Sequence, residues 1–533
     1  MDYTTLTAER CALDFRRSFR ETVMERELKM QFPAGQAKKL RESPFLASLL
    51  TEAPHTERLF STYFDTDDLA LYRCGASLRV RTAGDHHVQT LKTNGSPRAG
   101  LYEREEIECT LNGKAPDPAA LPVDNLKDSN IGKLLRDADL VNRLKPVFVT
   151  EVERSVSLLR LPEGDEIELA LDEGAVKAGE AAAPIREVEM ELKHGEPDHL
   201  YQFALDLLET VPLSIGYASK GSRGYELVVQ QHSEPVRAEP LKLKKADTVE
   251  QAFRRVAENC LAQIHGNERG VVSGHDPSCV HQMRVGLRRL RSALDLFEGV
   301  ITAPPFFQEE LRWIAGELGA ARDWEVIANA TLPTAFDGAP DDTHAAAVTQ
   351  AAREIAKENR SRAAAAVDSV RYTRLILELT RWLHQASWRA SLNDDKRATL
   401  NRSIVKFAGK TLSRRHERLL KRGRNLPDLD PHRRHRARIA AKKLRYATEF
   451  FASLYPKQVV RHYVASLSKL QDDLGWRNDV VVADGLLKTL ASERQATATG
   501  VGYARGYLAS RVAADHDALQ VLWKRFRRLS PPH

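Results

Sequence analysis

The chain has 533 residues, 42% of them apolar and 29% charged, with a formal net charge of +7 at pH 7. That length predicts roughly two to four domains and leaves ample material for buried cores. No run approaches the roughly twenty apolar residues that span a bilayer, which excludes a membrane-spanning helix, and the positive balance favours an anionic partner.

Residues 1–22 read as an N-terminal arm. The first twenty residues carry Asp2, Glu9, Asp14 and four arginines with no apolar segment, unlike a secretory signal. Five scattered cysteines (Cys11, Cys74, Cys109, Cys260 and Cys279) include no CxxC pair and are odd in number. This pattern argues against a disulfide framework and a structural zinc site, and predicts a cytoplasmic protein.

Residues 23–228 read as short strands with Gly, Asp and Asn turns, interrupted by helical stretches at 35–50 and 197–209. Charged side chains recur at every second position: Glu25, Glu27 and Lys29; Arg79 and Arg81; Arg104, Glu106 and Glu108; Glu187, Glu189 and Glu191. Residues two apart on a strand share a face. The opposite faces, with Leu78 and Val80 and then Val188, Met190 and Leu192, are apolar and must be covered. A closed barrel with an inward charged face meets both demands. Carboxylates in such a lumen suit Mg²⁺ or Mn²⁺, and converging Lys and Arg suit phosphate oxygens; together they describe a metal-bound phosphate chain.

Residues 229–246, with Pro235, Pro240 and several lysines, read as a solvated linker. From 247 to 528 strand signals vanish and an all-helical domain is expected. It holds a repeat, H-x-x-R-x-x-x-[RK]-[RK]-L-R, at His281–Arg291 and again at His435–Arg445. Leu318-Gly319-Ala320-Ala321-Arg322-Asp323 is likewise echoed by Leu474-Gly475-Trp476-Arg477-Asn478-Asp479, which predicts two similar helical bundles packed together. Positions 281, 284, 288 and 291 form one helical stripe. No acidic residue lies between His281 and Ser292 or between His435 and Thr448, so neighbours on the same helix do not neutralise either stripe. The stretch Arg414, Arg415, Arg418, Lys421, Arg422 and Arg424 could extend the positive surface. Arg322, Asp323, Asn478 and Asp479 are expected to hold helices together, and breaker-rich loops are expected at 332–342 and 425–431. Apart from Tyr446 the stripes lack aromatic residues, which favours a bare phosphate polymer over specific nucleic-acid binding.

The ordered pieces Glu25-x-Glu27-x-Lys29, Tyr63-Phe64-Asp65-Thr66, Arg79-Val80-Arg81, Lys92, Arg104-Glu105-Glu106, Arg154, Asp172 and Lys220-Gly221-Ser222-Arg223-Gly224-Tyr225 resemble the CYTH family of triphosphate tunnel metalloenzymes. The resemblance implies an eight-stranded antiparallel barrel that hydrolyses inorganic triphosphate in line. Lys29, Arg79, Arg81, Lys92, Arg104, Arg154, Lys220 and Arg223 would grip phosphate. Glu25, Glu27, Glu106, Asp172, Glu187 and Glu189 would hold Mg²⁺ or Mn²⁺ and orient the attacking water, with Glu25, Glu27 and Lys29 as the catalytic motif. The helical half resembles the CHAD domain, which implies binding of inorganic polyphosphate through His281, Arg284, Arg288, Arg289 and Arg291, and through His435, Arg438, Lys442, Lys443 and Arg445. Alternatives are a barrel acting on thiamine triphosphate or a nucleotide, and a binding protein of polyphosphate granules with weak or no hydrolysis.

Overall fold

The computed structural model describes residues 24–533 except 85, 94–100, 123–125, 127–128, 138, 230–233, 275, 340–341 and 515. The arm 1–22 and the side chains of Glu25 and Arg104 lie outside the described residues. The chain divides into two compact units, residues 1–231 and 232–533.

The first unit is built on nine strands: β1 (Met24–Gln31), β2 (His55–Asp65), β3 (Ala76–Ala83), β4 (His86–Thr93), β5 (Leu101–Leu111), β6 (Lys145–Arg160), β7 (Glu166–Ala178), β8 (Ala181–His194) and β9 (Ser214–Ile215). Their order is β5-β4-β3-β2-β6-β7-β8-β1-β9, and β5 pairs with β1 as well as β4. The expected count of eight is therefore exceeded by the two-residue β9, which pairs with Met30 and Gln31 beyond the point where β5 leaves β1. All named pairings are antiparallel.

The alternation seen in the sequence sorts side chains onto two faces. Val188 and Met190 of β8 are fully buried, and β8 is covered by α1 (Pro197–Thr210). That helix starts with proline at its first turn, where no N–H is needed, and buries Leu200, Tyr201, Phe203, Ala204, Leu207 and Leu208. Leu78, Leu91 and Ile107 of β3–β5 pack under Ile131, Leu135 and Leu140. The other faces carry charge. Gly35–Leu50 forms two short helices, Ala37–Arg41 and Pro44–Ala47, because Pro44 interrupts the run.

α2 (Lys220–Val229) is locked to the strands by a buried carboxylate. Asp65 accepts backbone N–H bonds from Thr66, Leu71 and Tyr72 at 2.8–2.9 Å, and the Tyr225 hydroxyl at 2.9 Å. Gly224 lets α2 approach β6: a Cβ there would sit 2.0 Å from the Phe148 ring. Lys220 and Arg223 are thereby held against the charged face.

The second unit is helical, with α3 (Val249–Ser273), α4 (Pro277–Phe297), α5 (Pro305–Val326), α7 (Pro431–Phe450) and α8 (Lys457–Glu493) contributing to the groove described below and α6 (Ile404–Arg422) packed beside α7. The expected loop at 332–342 is partly helical. A π-helical turn over Ile327–Thr331 leads into a helix at Leu332–Phe336, where Pro333 falls in the first turn and breaks nothing. At 425–431 a short 3₁₀ turn precedes the Asp430 cap of α7. The linker reading also needs correction, since its latter part is pinned to the helices. Val236 exchanges hydrogen bonds with the Asn267 side chain, Leu243 is buried and bonds Ser453, and Gly266 leaves the room that Val236 occupies. The buried Leu243 and the backbone bonds of Val236 dock this segment while its lysines stay wet.

Candidate functional sites

Strand register builds the first site. Across β6, β7 and β8, Arg154 faces Asp172 and Asp172 faces Glu187; along the next rung Lys29 faces Glu189, which faces Ala170. The small Ala170 side chain leaves space above the second rung. Into that space opens a cavity of about 270 Å³, lined by Glu27, Lys29, Arg79, Arg81, Lys92, Glu106, Arg154, Glu189 and Lys220 among the predicted residues. Glu108 and Glu191, read from their two-residue spacing as part of the inward charged face, also line it, as do Tyr63, Ser77, Glu168, Lys193 and Ser219, which were not assigned a binding or catalytic role from sequence.

Asp172 and Glu187, both fully buried, lie behind the cavity wall. With Glu189 each offers an oxygen within 4.8 Å of the others. Four cations meet these three carboxylates. Arg154 forks onto Asp172 at 2.8 and 2.7 Å and also bonds Glu189; Lys220 reaches Asp172 at 2.7 Å, Glu189 at 2.8 Å and Glu187. Lys29 pairs with Glu189 and lies 3.6 Å from Glu187, and Arg223 bonds Glu187. Although burial opposes ionisation, Lys220, Lys29 and Arg154 hold the Glu189 carboxyl well below its usual range.

The opposite wall is different. Burial, and then the Glu189 carboxylate, push Glu27 above the ordinary carboxylate range against the pull of Lys29, Lys92 and Lys220. Its Oε1 lies 3.3 Å from Lys29 Nζ yet accepts no hydrogen bond. Arg79 first, then burial and Arg154, bring Arg81 down to about 10. Burial, then Arg79, bring Lys92 to about 8 despite its bond to Glu106. Cations depressed by other cations mark a surplus of positive charge awaiting an anion. The clustered hard oxygens of Asp172, Glu187 and Glu189, with the orphaned Glu27 acceptor, fit a divalent cation.

The second site is a groove of about 1730 Å³ lined by both basic stripes. The stripes are not free of carboxylates, as the absence of acids on their own helices suggested, because the partners come from elsewhere in the fold. Arg284 of α4 bonds Asp323 of α5 at 2.9 Å, and Arg438 of α7 lies 3.6 Å from Asp479 of α8. His435 Nδ1 pairs with Asn478 Oδ1 at 2.8 Å. The repeated Asp323, Asn478 and Asp479 thus link helices as expected, and they line the groove too.

Adjacent positions diverge, because successive helical residues point about 100° apart. Arg288 looks into the groove, whereas Arg289 is buried, bonds Gln263 at 3.0 Å and Asn259 at 2.7 Å on α3, and covers the Phe450 ring. Among the described residues Lys442 has no partner of that kind, whereas Lys443 bonds Asp295 at 2.5 Å beside Arg415 at 2.7 Å. Arg415 of the third basic stretch is therefore buried structure. Arg445 bonds Glu449 at 2.7 Å, and Arg291 is exposed. Burial, then Arg322, Arg288 and Arg284, hold His281 down to about 4, so its ring is neutral at pH 7.

An antiparallel strand unit with a mixed-charge cavity, joined in sequence to a helical unit with a basic groove, defines a two-module architecture in which each unit carries its own charged site. Family comparison is specific: a CYTH domain matches residues 24–225 and a CHAD domain matches residues 255–488, so the chain is a CYTH domain followed by a CHAD domain. An inorganic triphosphatase of Haemophilus influenzae is 30% identical over 220 residues, covering 40% of this chain and 57% of that protein. An uncharacterized protein of Mycobacterium tuberculosis is 29% identical over 301 residues, 53% of this chain and 54% of that one. The chain thus spans little more than half the length of these curated relatives. The crystal structure of the CHAD domain from the plant Ricinus communis is 39% identical with a TM-score of 0.51, covering 56% of this chain and 99% of that one. Among the described residues no helix is long and apolar enough to cross a membrane.

Proposed function

We propose that the strand unit, over residues 23–228, hydrolyses inorganic triphosphate, and that the helical unit, over 247–528, binds inorganic polyphosphate. The observation that carries the first half is the convergence of Arg79, Arg81, Lys92, Arg154 and Lys220 on one cavity beside the Asp172–Glu187–Glu189 cluster. A relative named an inorganic triphosphatase supports it.

On this reading the eight long strands act as a closed tunnel. Asp172, Glu187, Glu189 and Glu27 would hold Mg²⁺ or Mn²⁺, which when bound offsets phosphoryl charge and activates water. Arg79 and Arg81 take the surplus charge of the phosphate chain. Arg154 and Lys220 exchange carboxylate oxygens for phosphate oxygens, keeping charge-assisted bonds throughout. Glu27, one of whose carboxylate oxygens accepts no hydrogen bond among the described residues, would orient the attacking water. Glu106 stays with Lys92 and keeps that ammonium in place. The Arg284, Arg288, Arg438 and Lys442 groove carries the second half, and it would bring the protein to cytoplasmic polyphosphate granules.

The test is phosphate release from inorganic triphosphate with Mg²⁺ or Mn²⁺, run beside ATP and thiamine triphosphate. Fast turnover of inorganic triphosphate that Glu27→Gln abolishes is expected. No turnover of any of the three would remove the triphosphatase reading and leave polyphosphate binding as the main function.

A further inference from the structure

We propose that Lys442 is an acylation site, at which an acyl phosphate held by the guanidinium groups of the groove transfers its acyl group to the lysine amine. The proposal goes beyond the polyphosphate reading and rests on it in one respect, that the groove accepts phosphoryl groups.

Lys442 stands on α7 one turn past Arg438 and lines the groove. Arg284 and Arg288 of α4 and Asp479 of α8 line the same groove. Asp479 is itself claimed by Arg438 at 3.6 Å. Lys443, the next residue, is tied to Asp295. The two neighbouring amines therefore differ chemically. Lys443 is engaged by a carboxylate, whereas burial, then Arg438 and Arg288, bring Lys442 to about 7, so that a free amine is populated at neutral pH. The arginines that favour this free amine would also attract the phosphoryl end of an acyl phosphate and bring its carbonyl carbon near.

The step balances without any further reactant. The amine lone pair attacks the acyl carbon, a C–N bond forms, and the C–O bond to the phosphoryl group breaks. Orthophosphate leaves with the electron pair and takes up the amine proton. The product amide is uncharged, so acylation removes one cation from the groove and weakens its hold on polyphosphate. A long phosphate chain would occupy the arginines and shield Lys442, so occupancy of the groove and acylation oppose each other.

The test treats the full chain with acetyl phosphate and, separately, with the uncharged donor N-acetoxysuccinimide, and reads Lys442 and Lys443 by site-resolved mass spectrometry. Lys442 should be acetylated by acetyl phosphate roughly tenfold faster than Lys443. Excess polyphosphate should protect it, and Arg288→Ala should lower the ratio of acetyl phosphate to N-acetoxysuccinimide labelling. Equal labelling of the two lysines, or labelling by acetyl phosphate that polyphosphate does not slow, overturns the proposal. Polyphosphate binding by the same unlabelled sample separates the failures: intact binding without selective Lys442 labelling sinks the acylation site alone, and loss of both sinks the groove reading with it.

Discussion

The strand cavity and the helical groove both gather basic side chains, but they differ in how far that charge is matched. In the cavity, Lys29, Arg154, Lys220 and Arg223 are matched against Asp172, Glu187 and Glu189 within two rungs of one sheet. In the groove, carboxylates are fewer relative to the cations that line it, and burial, then neighbouring arginines, bring His281 to about 4 and Lys442 to about 7. A site with built-in anions can rearrange its ion pairs around a small substrate and a metal. A site with few anions stores repulsion that only a polyanion relieves, which suits binding without chemistry on the phosphate.

The sharpest way to break this contrast is to remove one carboxylate oxygen from the cavity. Glu27→Gln is expected to lower triphosphate hydrolysis by on the order of 10³-fold, with polyphosphate affinity unchanged; phosphate release and filter binding on the same preparation check both halves. Next, Arg288→Ala combined with Arg438→Ala should weaken polyphosphate binding about a hundredfold and flatten its salt dependence. Titrations at several salt concentrations test this, and an unchanged affinity would remove the groove from consideration.

A smaller effect separates the groove from its scaffold. Arg289→Lys loses the forked bonds to Gln263 and Asn259 and should cost about 2 kcal/mol of unfolding free energy in chemical denaturation, while polyphosphate affinity holds. If affinity fell and stability did not, Arg289 would belong to the binding surface after all.

The smallest expected effect is a pH dependence. Lys442 is lowered in the folded chain, so the unfolded chain keeps its proton to higher pH, and the ligand-free helical unit gains stability as pH rises above about 7. Bound polyphosphate favours the protonated amine, so affinity moves the other way and should fall up to about tenfold per pH unit above 7. Lys442→Met should remove that slope, as measured by isothermal titration from pH 6 to pH 9.

Much of this was legible in the chain. Alternating charges such as Glu187, Glu189 and Glu191 announced a charged sheet face, because the period of a strand is two whatever it packs against. The stripe at 281, 284, 288 and 291 followed from helical spacing in the same way. What was not legible depends on partners distant in sequence. Asp172 and Glu187 lie behind the cavity, while Glu191 lines it, because register and depth are set by β6–β7–β8 pairing. The linker's attachment to Asn267 and Ser453 spans 31 and 210 positions, so no local pattern of Pro and Lys shows it.

The sequence by itself determined the two units, the identity of the charged faces and the families they match, since these follow from local periodicity and from ordered motifs. Only the tertiary structure decided which charges are balanced. Arg284 meets Asp323, Lys443 meets Asp295 across 148 positions, and Lys442 is left among arginines. Electrostatic energy depends on distance through space and on burial, and neither is a property of distance along the chain.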